Sequence, residues 1–161
     1  MPGAGKSYWA EQIAAAFSLQ CIDLDDMITV RTGHTISGFF ERFGETSFRE
    51  LEQQTLSQII TVFKENTVVA CGGGTPCFYD NLAQMKQAGT VIYLHAPIET
   101  LIQHLESEAE QRPLLSRSHW QQDIEELLQT RKAIYEQANI ILPAKSLSIA
   151  DFASILNDSL L

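Results

Sequence analysis

Pro2-Gly3-Ala4-Gly5-Lys6-Ser7 carries the closing positions of the phosphate-binding loop G-x-x-x-x-G-K-[ST]. Its glycines let successive N–H groups face one phosphate, and the helix that follows adds the positive end of its dipole. In such a loop Lys6 reaches the β- and γ-phosphates of a nucleotide, and the Ser7 hydroxyl ligates Mg²⁺. The first glycine of the pattern falls one residue ahead of Met1, as does the strand that feeds such a loop.

Further residues have types and spacings suited to phosphoryl chemistry. Asp23 and Asp25 stand at the end of a short apolar run, where a parallel sheet presents its ligands. One carboxylate there can hold Mg²⁺ through water while the other meets a substrate hydroxyl; the alternative is that Asp25 or Asp26 caps a helix. Arg49 shares a helical turn with Glu45, Glu50, Glu52 and Gln53. It is either a solvated charge pair or a bidentate clamp for a substrate carboxylate, and position alone does not decide. Gly72-Gly73-Gly74 follows an apolar strand and marks a close backbone approach or a tight turn. Arg112 opens an irregular stretch to His119, which is a lid that brings an arginine to the γ-phosphate or an ordinary loop. Arg131, one turn before Tyr135, is a second anion clamp or an exposed base. His34, His95, His104 and His119 form no metal-ligand pattern.

Alternating helical and strand-like segments must position these residues, which predicts an α/β fold around a parallel sheet. Helices are expected over Lys6–Phe17, Asp25–Arg31, Thr46–Lys64, Tyr79–Gln87, from Ile98 to about Glu110, and over Trp120–Ala138. Ser37 is the expected cap of a short helix ending at Phe43, and Ser148-x-x-Asp151 caps the last helix. Strands are expected at Leu19–Ile22, Thr67–Ala70 (buried), Val91–Leu94 and Ile140–Leu142.

The chain has 161 residues, enough for one domain. Its net charge of −9, from 20 acids and 11 bases, disfavours nucleic acid as a partner. A small anion needs only a local positive cluster, and Lys6, Arg49, Arg112 and Arg131 all fall inside motifs. No apolar run reaches a membrane span, and no signal peptide is recognisable, so a cytoplasmic protein is expected. Cys21, Cys71 and Cys77 fit a reducing compartment.

Taken together, P-G-A-G-K-S, the I-D-L-D strand end, R-T-G at Arg31 to Gly33, G-E-T-S-F-R-E-L-E, G-G-G, V-I-Y-L, R-P-L-L and R-K-A-I-Y closely resemble the shikimate kinase family, nearly end to end. The resemblance implies a P-loop NTPase, nucleoside-monophosphate-kinase-like three-layer fold with five parallel strands in the order 2-3-1-4-5. It also implies a single domain over 1–161 with a lid near 107–120, and a monomer. The implied reaction is Mg²⁺-dependent transfer of the ATP γ-phosphoryl to the 3-hydroxyl of shikimate. By the same resemblance Gly3, Ala4, Gly5, Lys6, Ser7 and Tyr8 would hold ATP, Ser7 and Asp23 the metal, and Asp25 the reacting hydroxyl. Arg49 and Arg131 would hold the shikimate carboxylate, Gly72, Gly73 and Gly74 would line the acceptor, and Arg112 would reach the phosphates. Tyr8 replaces the usual small hydroxyl residue, Leu105 beside His104 stands where an adenine-packing arginine is usual, and Ala133 replaces a proline.

The alternatives are another small-molecule kinase of this class, of gluconate type, and a non-catalytic relative. The strand before the loop is absent from the chain, so a slot in the sheet, low stability and slow turnover are expected, with Met1 an internal methionine of a longer protein.

Overall fold

The computed structural model describes residues 1–63, 66–107 and 119–159. Helix α1 (Lys6–Phe17) starts after Gly5, whose φ of 78° lies in the left-handed region, and buries Ala10, Ile13 and Ala14. Strand β1 (Gln20–Asp23) pairs in parallel with β2 (Thr67–Ala70), Ile22 opposite Val69. Between them lie α2 (Leu24–Thr32) and the long α3 (Ile36–Val62). Helix α4 (Asn81–Ala88) leads to β3 (Ile92–His95), which pairs in parallel with β4 (Ile140–Pro143). Helices α5 (Ile98–Ser107) and α6 (Trp120–Tyr135) join these two strands, and α7 (Ile149–Ser159) closes the chain, Asp151 accepting from the Ser148 N–H and hydroxyl at 2.8 Å each.

Two details differ from expectation. Thr35, not Ser37, caps α3, its hydroxyl accepting from the Gly38 N–H at 3.1 Å. Starting there lets Ile36, Phe39 and Phe40 pack beside Phe48. The two helices expected from Ser37 and Thr46 join as one kinked element, because Gly44 takes φ 79° and ψ 170°.

Two apolar clusters flank the strands. Ile22, Leu24, Ile28, Phe48, Leu56 and Ile59 make the first, beneath α2 and α3. The second gathers Ala4 from the phosphate loop with Ile13, Tyr93, Leu101, Tyr135 and Phe152 from α1, β3 and α5–α7.

The sheet is not continuous. Among the described residues β1-β2 and β3-β4 form two separate two-stranded sheets. They keep the outer pairs of the expected order 2-3-1-4-5, with no described strand between β2 and β3. A cavity of about 860 Å³ lies there, bordered by Val68, Val69 and Ala70 on one side and Ile92, Tyr93 and Leu94 on the other. This corrects the expected burial of β2: only Ala70 is buried, while Thr67, Val68 and Val69 are half-exposed, because their side of the sheet faces the cavity. Of the lid expected near 107–120, residues 108–118, Arg112 included, lie outside the described residues, while Ser107 ends α5 and Trp120 begins α6.

Candidate active site

The phosphate loop, the ends of β1 and β2, and the start of the second half of α3 converge. At the loop, Lys6 Nζ donates to the Met1 carbonyl at 2.7 Å. The Met1 amine is pushed down to about 4, first by burial and then by the charges of Lys6 and Arg131. Lys6 and Arg131 thus place two positive charges around a neutral amine in one small volume, an arrangement that an anion would relieve. Gly3 is held by His104, whose Nδ1 lies 2.7 Å from its carbonyl. Leu105 is buried, with its Cγ 3.1 Å from where a Gly3 Cβ would stand. The position where the resemblance expects an adenine-packing base is therefore a core residue under the loop. Tyr8 is exposed and meets Trp9 edge-on.

Asp23 caps α2: its Oδ1 accepts from the Asp25 N–H at 2.9 Å, while Oδ2 accepts from Ser7 Oγ at 2.6 Å. The cap is thus Asp23 and not Asp25 or Asp26, because α2 starts at Leu24 and both of those residues lie inside its first turn. Ser7 and Asp23 form a pair of hard oxygens at the head of the loop, the donor type Mg²⁺ prefers. No cluster of three or more His, Cys, Asp or Glu with metal-site geometry exists among the described residues. A nucleotide-bound Mg²⁺ needs none, since phosphates and waters complete its shell.

Asp25 is raised from 3.8 to about 6, chiefly by burial, then by Asp23 and Glu52, with Lys6 acting in the opposite direction. A carboxylate poised there can accept a hydroxyl proton near neutral pH. If it does so, kcat/KM should rise with pH through about 6 and level off above it; a pH–rate profile flat from pH 5 to 7.5 would contradict that role.

Arg49 is buried, which excludes the solvated pair. Its Nη1 donates to Glu52 at 2.8 Å, and Nη2 reaches Glu45 at 3.1 Å. Its guanidinium lies over the Phe78 ring, 4.3 Å from the centroid. Glu52 is buried and also accepts from Thr75 Oγ1 at 2.7 Å. Thr75 is held in turn by Asn81, whose Nδ2 donates to its carbonyl at 2.9 Å. Glu52 and Thr75 carried no separate role in the sequence reasoning; the signal available was a carboxylate three residues after Arg49 on one helix face.

The triple glycine is a close approach. A Cβ at Gly72 would stand 3.2 Å from Glu52 Oε1 and 3.4 Å from Asp25 Oδ1, and one at Gly74 only 2.5 Å from Arg49 Nη1. Gly74→Ala should therefore displace the Arg49 guanidinium and raise the KM of the acceptor at least tenfold, with ATP KM changed less than twofold, as steady-state kinetics would measure. Gly73 meets Met1, Pro2 and the Tyr135 hydroxyl, so it lies between loop and α6. Arg131, half-buried on α6, acts electrostatically on Met1, Cys77 and Tyr135. The structure thus brings Lys6, Asp23, Asp25, Arg49, Gly72–Gly74 and Arg131 around one center; Arg112 is outside the described residues.

A phosphate loop at the head of α1, a carboxylate facing it and buried arginine beyond define a P-loop small-molecule kinase. The family profile described as Shikimate kinase matches residues 2–159. Similar proteins include the shikimate kinases of Parabacteroides distasonis, 35% identical over 96% of this chain and 91% of the relative, and of Persephonella marina, 36% identical over 86% and 81%. Among solved structures, shikimate kinase from Bacteroides thetaiotaomicron superposes with a TM-score of 0.87 at 33% identity, covering 98% of this chain and 93% of that one. Shikimate kinase from Acinetobacter baumannii, in complex with shikimate, gives 0.86 at 30% identity, covering 99% and 88%. The chain belongs to the shikimate kinase family, an ATP-dependent kinase family with the P-loop NTPase fold.

Proposed function

We propose that this chain transfers the γ-phosphoryl of ATP to the 3-hydroxyl of shikimate. The observation that carries this reading is the position of Asp25, raised to about 6 between the phosphate loop and the Arg49–Glu52–Gly72 platform. The loop from Gly3 to Tyr8 holds the nucleotide, with Lys6 on the β- and γ-phosphates. Mg²⁺, held by Ser7 directly and by Asp23 through water, neutralises phosphate charge when bound. Arg49 and Arg131 fix the acceptor carboxylate, and the Gly72–Gly74 backbone lines the ring. Asp25 accepts the hydrogen bond of the reacting hydroxyl and orients it for in-line attack. Arg112, on the lid, offsets charge on the transferring group. We assign the protein to the cytoplasm as a monomer. The described helices include none long and apolar enough to cross a membrane.

Equilibrium titration tests the acceptor assignment independently of turnover. Shikimate should bind with Arg49→Ala weakened at least a hundredfold, since the substitution leaves a carboxylate unpaired and Glu52 buried without its partner. Equal affinity in both proteins, or tighter binding of gluconate than of shikimate, would overturn it.

A further inference from the structure

Tyr135 closes α6 one turn after Arg131, and its hydroxyl lies among groups assigned to the acceptor. The side chain is buried, and its ring stacks on Tyr93 with centroids 5.0 Å apart and planes 28° apart. That packing fixes where the phenol oxygen stands. The hydroxyl donates to the Gly73 carbonyl at 2.7 Å, and Arg131, one turn earlier on α6, acts electrostatically on it. Met1 Sδ, 3.4 Å away, is a weaker acceptor for the same proton.

The Gly73 carbonyl sets more than its own direction. In a trans peptide the C=O and the following N–H point opposite ways. Holding the Gly73 oxygen toward Tyr135 therefore turns the Gly74 N–H away from α6. Gly74 is the glycine whose Cβ would overlap the Arg49 guanidinium. Its N–H makes no backbone hydrogen bond among the described residues, which leaves it available as a donor. Glycine backbones are the least restricted in the chain, and three in a row would otherwise sample many orientations.

We propose that Tyr135 is a positioning residue: its hydroxyl holds the Gly73–Gly74 peptide and the Arg131 guanidinium in one fixed relation, so that the Gly74 N–H, Arg49 and Arg131 present a single preformed seat for the acceptor. This rests on the assignment of shikimate to that seat. Tyr135 touches neither acceptor nor nucleotide; it acts through the glycine turn and through Arg131. The expected signature is selective. Loss of the hydroxyl weakens acceptor binding while leaving the phosphate loop's affinity for ATP in place.

Tyr135→Phe keeps the ring and its stacking, and removes only the hydroxyl. Titration should give a shikimate affinity about tenfold lower, with ATP affinity within twofold of the unaltered protein and kcat at saturating shikimate within about threefold. In a double-mutant cycle, Arg131→Ala should cost less in the Tyr135→Phe background than alone, because the hydroxyl on which its charge acts is gone. A Tyr135→Phe protein that binds shikimate unchanged overturns the proposal. So does equal loss of shikimate and ATP affinity, the mark of a purely structural residue, or strictly additive effects in the cycle. If the unaltered protein fails to bind shikimate at all, the acceptor assignment itself falls, which is a different result.

Discussion

A chain carrying an apolar five- or six-residue strand fused to the nitrogen of Met1 is expected to melt about 10 °C or more above the chain as it stands. The cavity between β2 and β3 is bordered by two strand edges with no ladder partner among the described residues. Each edge leaves backbone groups without sheet hydrogen bonds, and Val68, Val69 and Ile92 line the space with apolar surface. Filling it with aliphatic side chains contributes roughly 1.5–3 kcal/mol for each one fully buried. Ordering each added residue costs about 1.5 kcal/mol. Ladder hydrogen bonds on both sides add roughly 0.5–1.5 kcal/mol each, so the balance favours insertion by several kcal/mol. For a domain of this size each kcal/mol raises the midpoint by about 2–4 °C.

The Met1 amine adds a second term with a definite sign. Its value falls from 8.0 to about 4 on folding, so between those values the unfolded chain binds more protons and stability falls with acidity. At pH 7 the cost of holding that amine neutral is about 1.4 kcal/mol, and an amide at the same nitrogen removes it. A Gly/Ser extension of equal length forms the amide but cannot fill the cavity. It should recover only the smaller part, and differential scanning calorimetry of the two fusions separates the effects. Equal midpoints for the apolar and Gly/Ser fusions would refute the strand seat.

Asp25→Asn should make the protein more stable and almost inactive. Asp25 rises from 3.8 to about 6 on folding, so the folded state holds the proton more tightly. Between those values stability falls as pH rises, and above about 6 the full cost, on the order of 3 kcal/mol, is present. Asparagine carries no charge to desolvate and should return part of it, a gain of several degrees at pH 7.5 that vanishes near pH 3.5. Turnover should fall by about 10²–10⁴, the usual worth of a positioned base, while shikimate affinity changes little. Unchanged turnover would remove Asp25 from the chemistry; a lower melting point at pH 7.5 would remove the burial argument.

Local signals made most of the elements legible. The Ala-rich segment after Lys6 gives α1 with the expected bounds, and Gly33, at φ 69°, stops α2 where a left-handed cap was available. What sequence could not give was set by tertiary contact. The joining of two helices at Gly44 and the cap at Thr35 follow from packing of Ile36, Phe39 and Phe40 beside Phe48. The half-exposure of Val68 and Val69 follows from the break in the sheet, although their residue types are those of an interior strand. At the site, the DxD pair and the triple glycine announced themselves by spacing. Arg49 remained ambiguous because an i,i+4 partner exists on either reading; its burial beside Glu52 and Phe78 excludes only the solvated pair. Thr75 and the Tyr135 hydroxyl join the network through contacts 23 and 62 residues distant in sequence, which no local pattern encodes.

The most direct measurement is ADP release on addition of shikimate, made on the chain as it stands and on the apolar-strand fusion, with gluconate as the alternative acceptor. The expected result is Mg²⁺-dependent, shikimate-dependent ADP release with one phosphomonoester formed per ATP, faster in the fusion and abolished by Arg49→Ala. Phosphorylation of gluconate but not shikimate, or no acceptor-dependent ADP release from a stably folded fusion, would contradict the assignment.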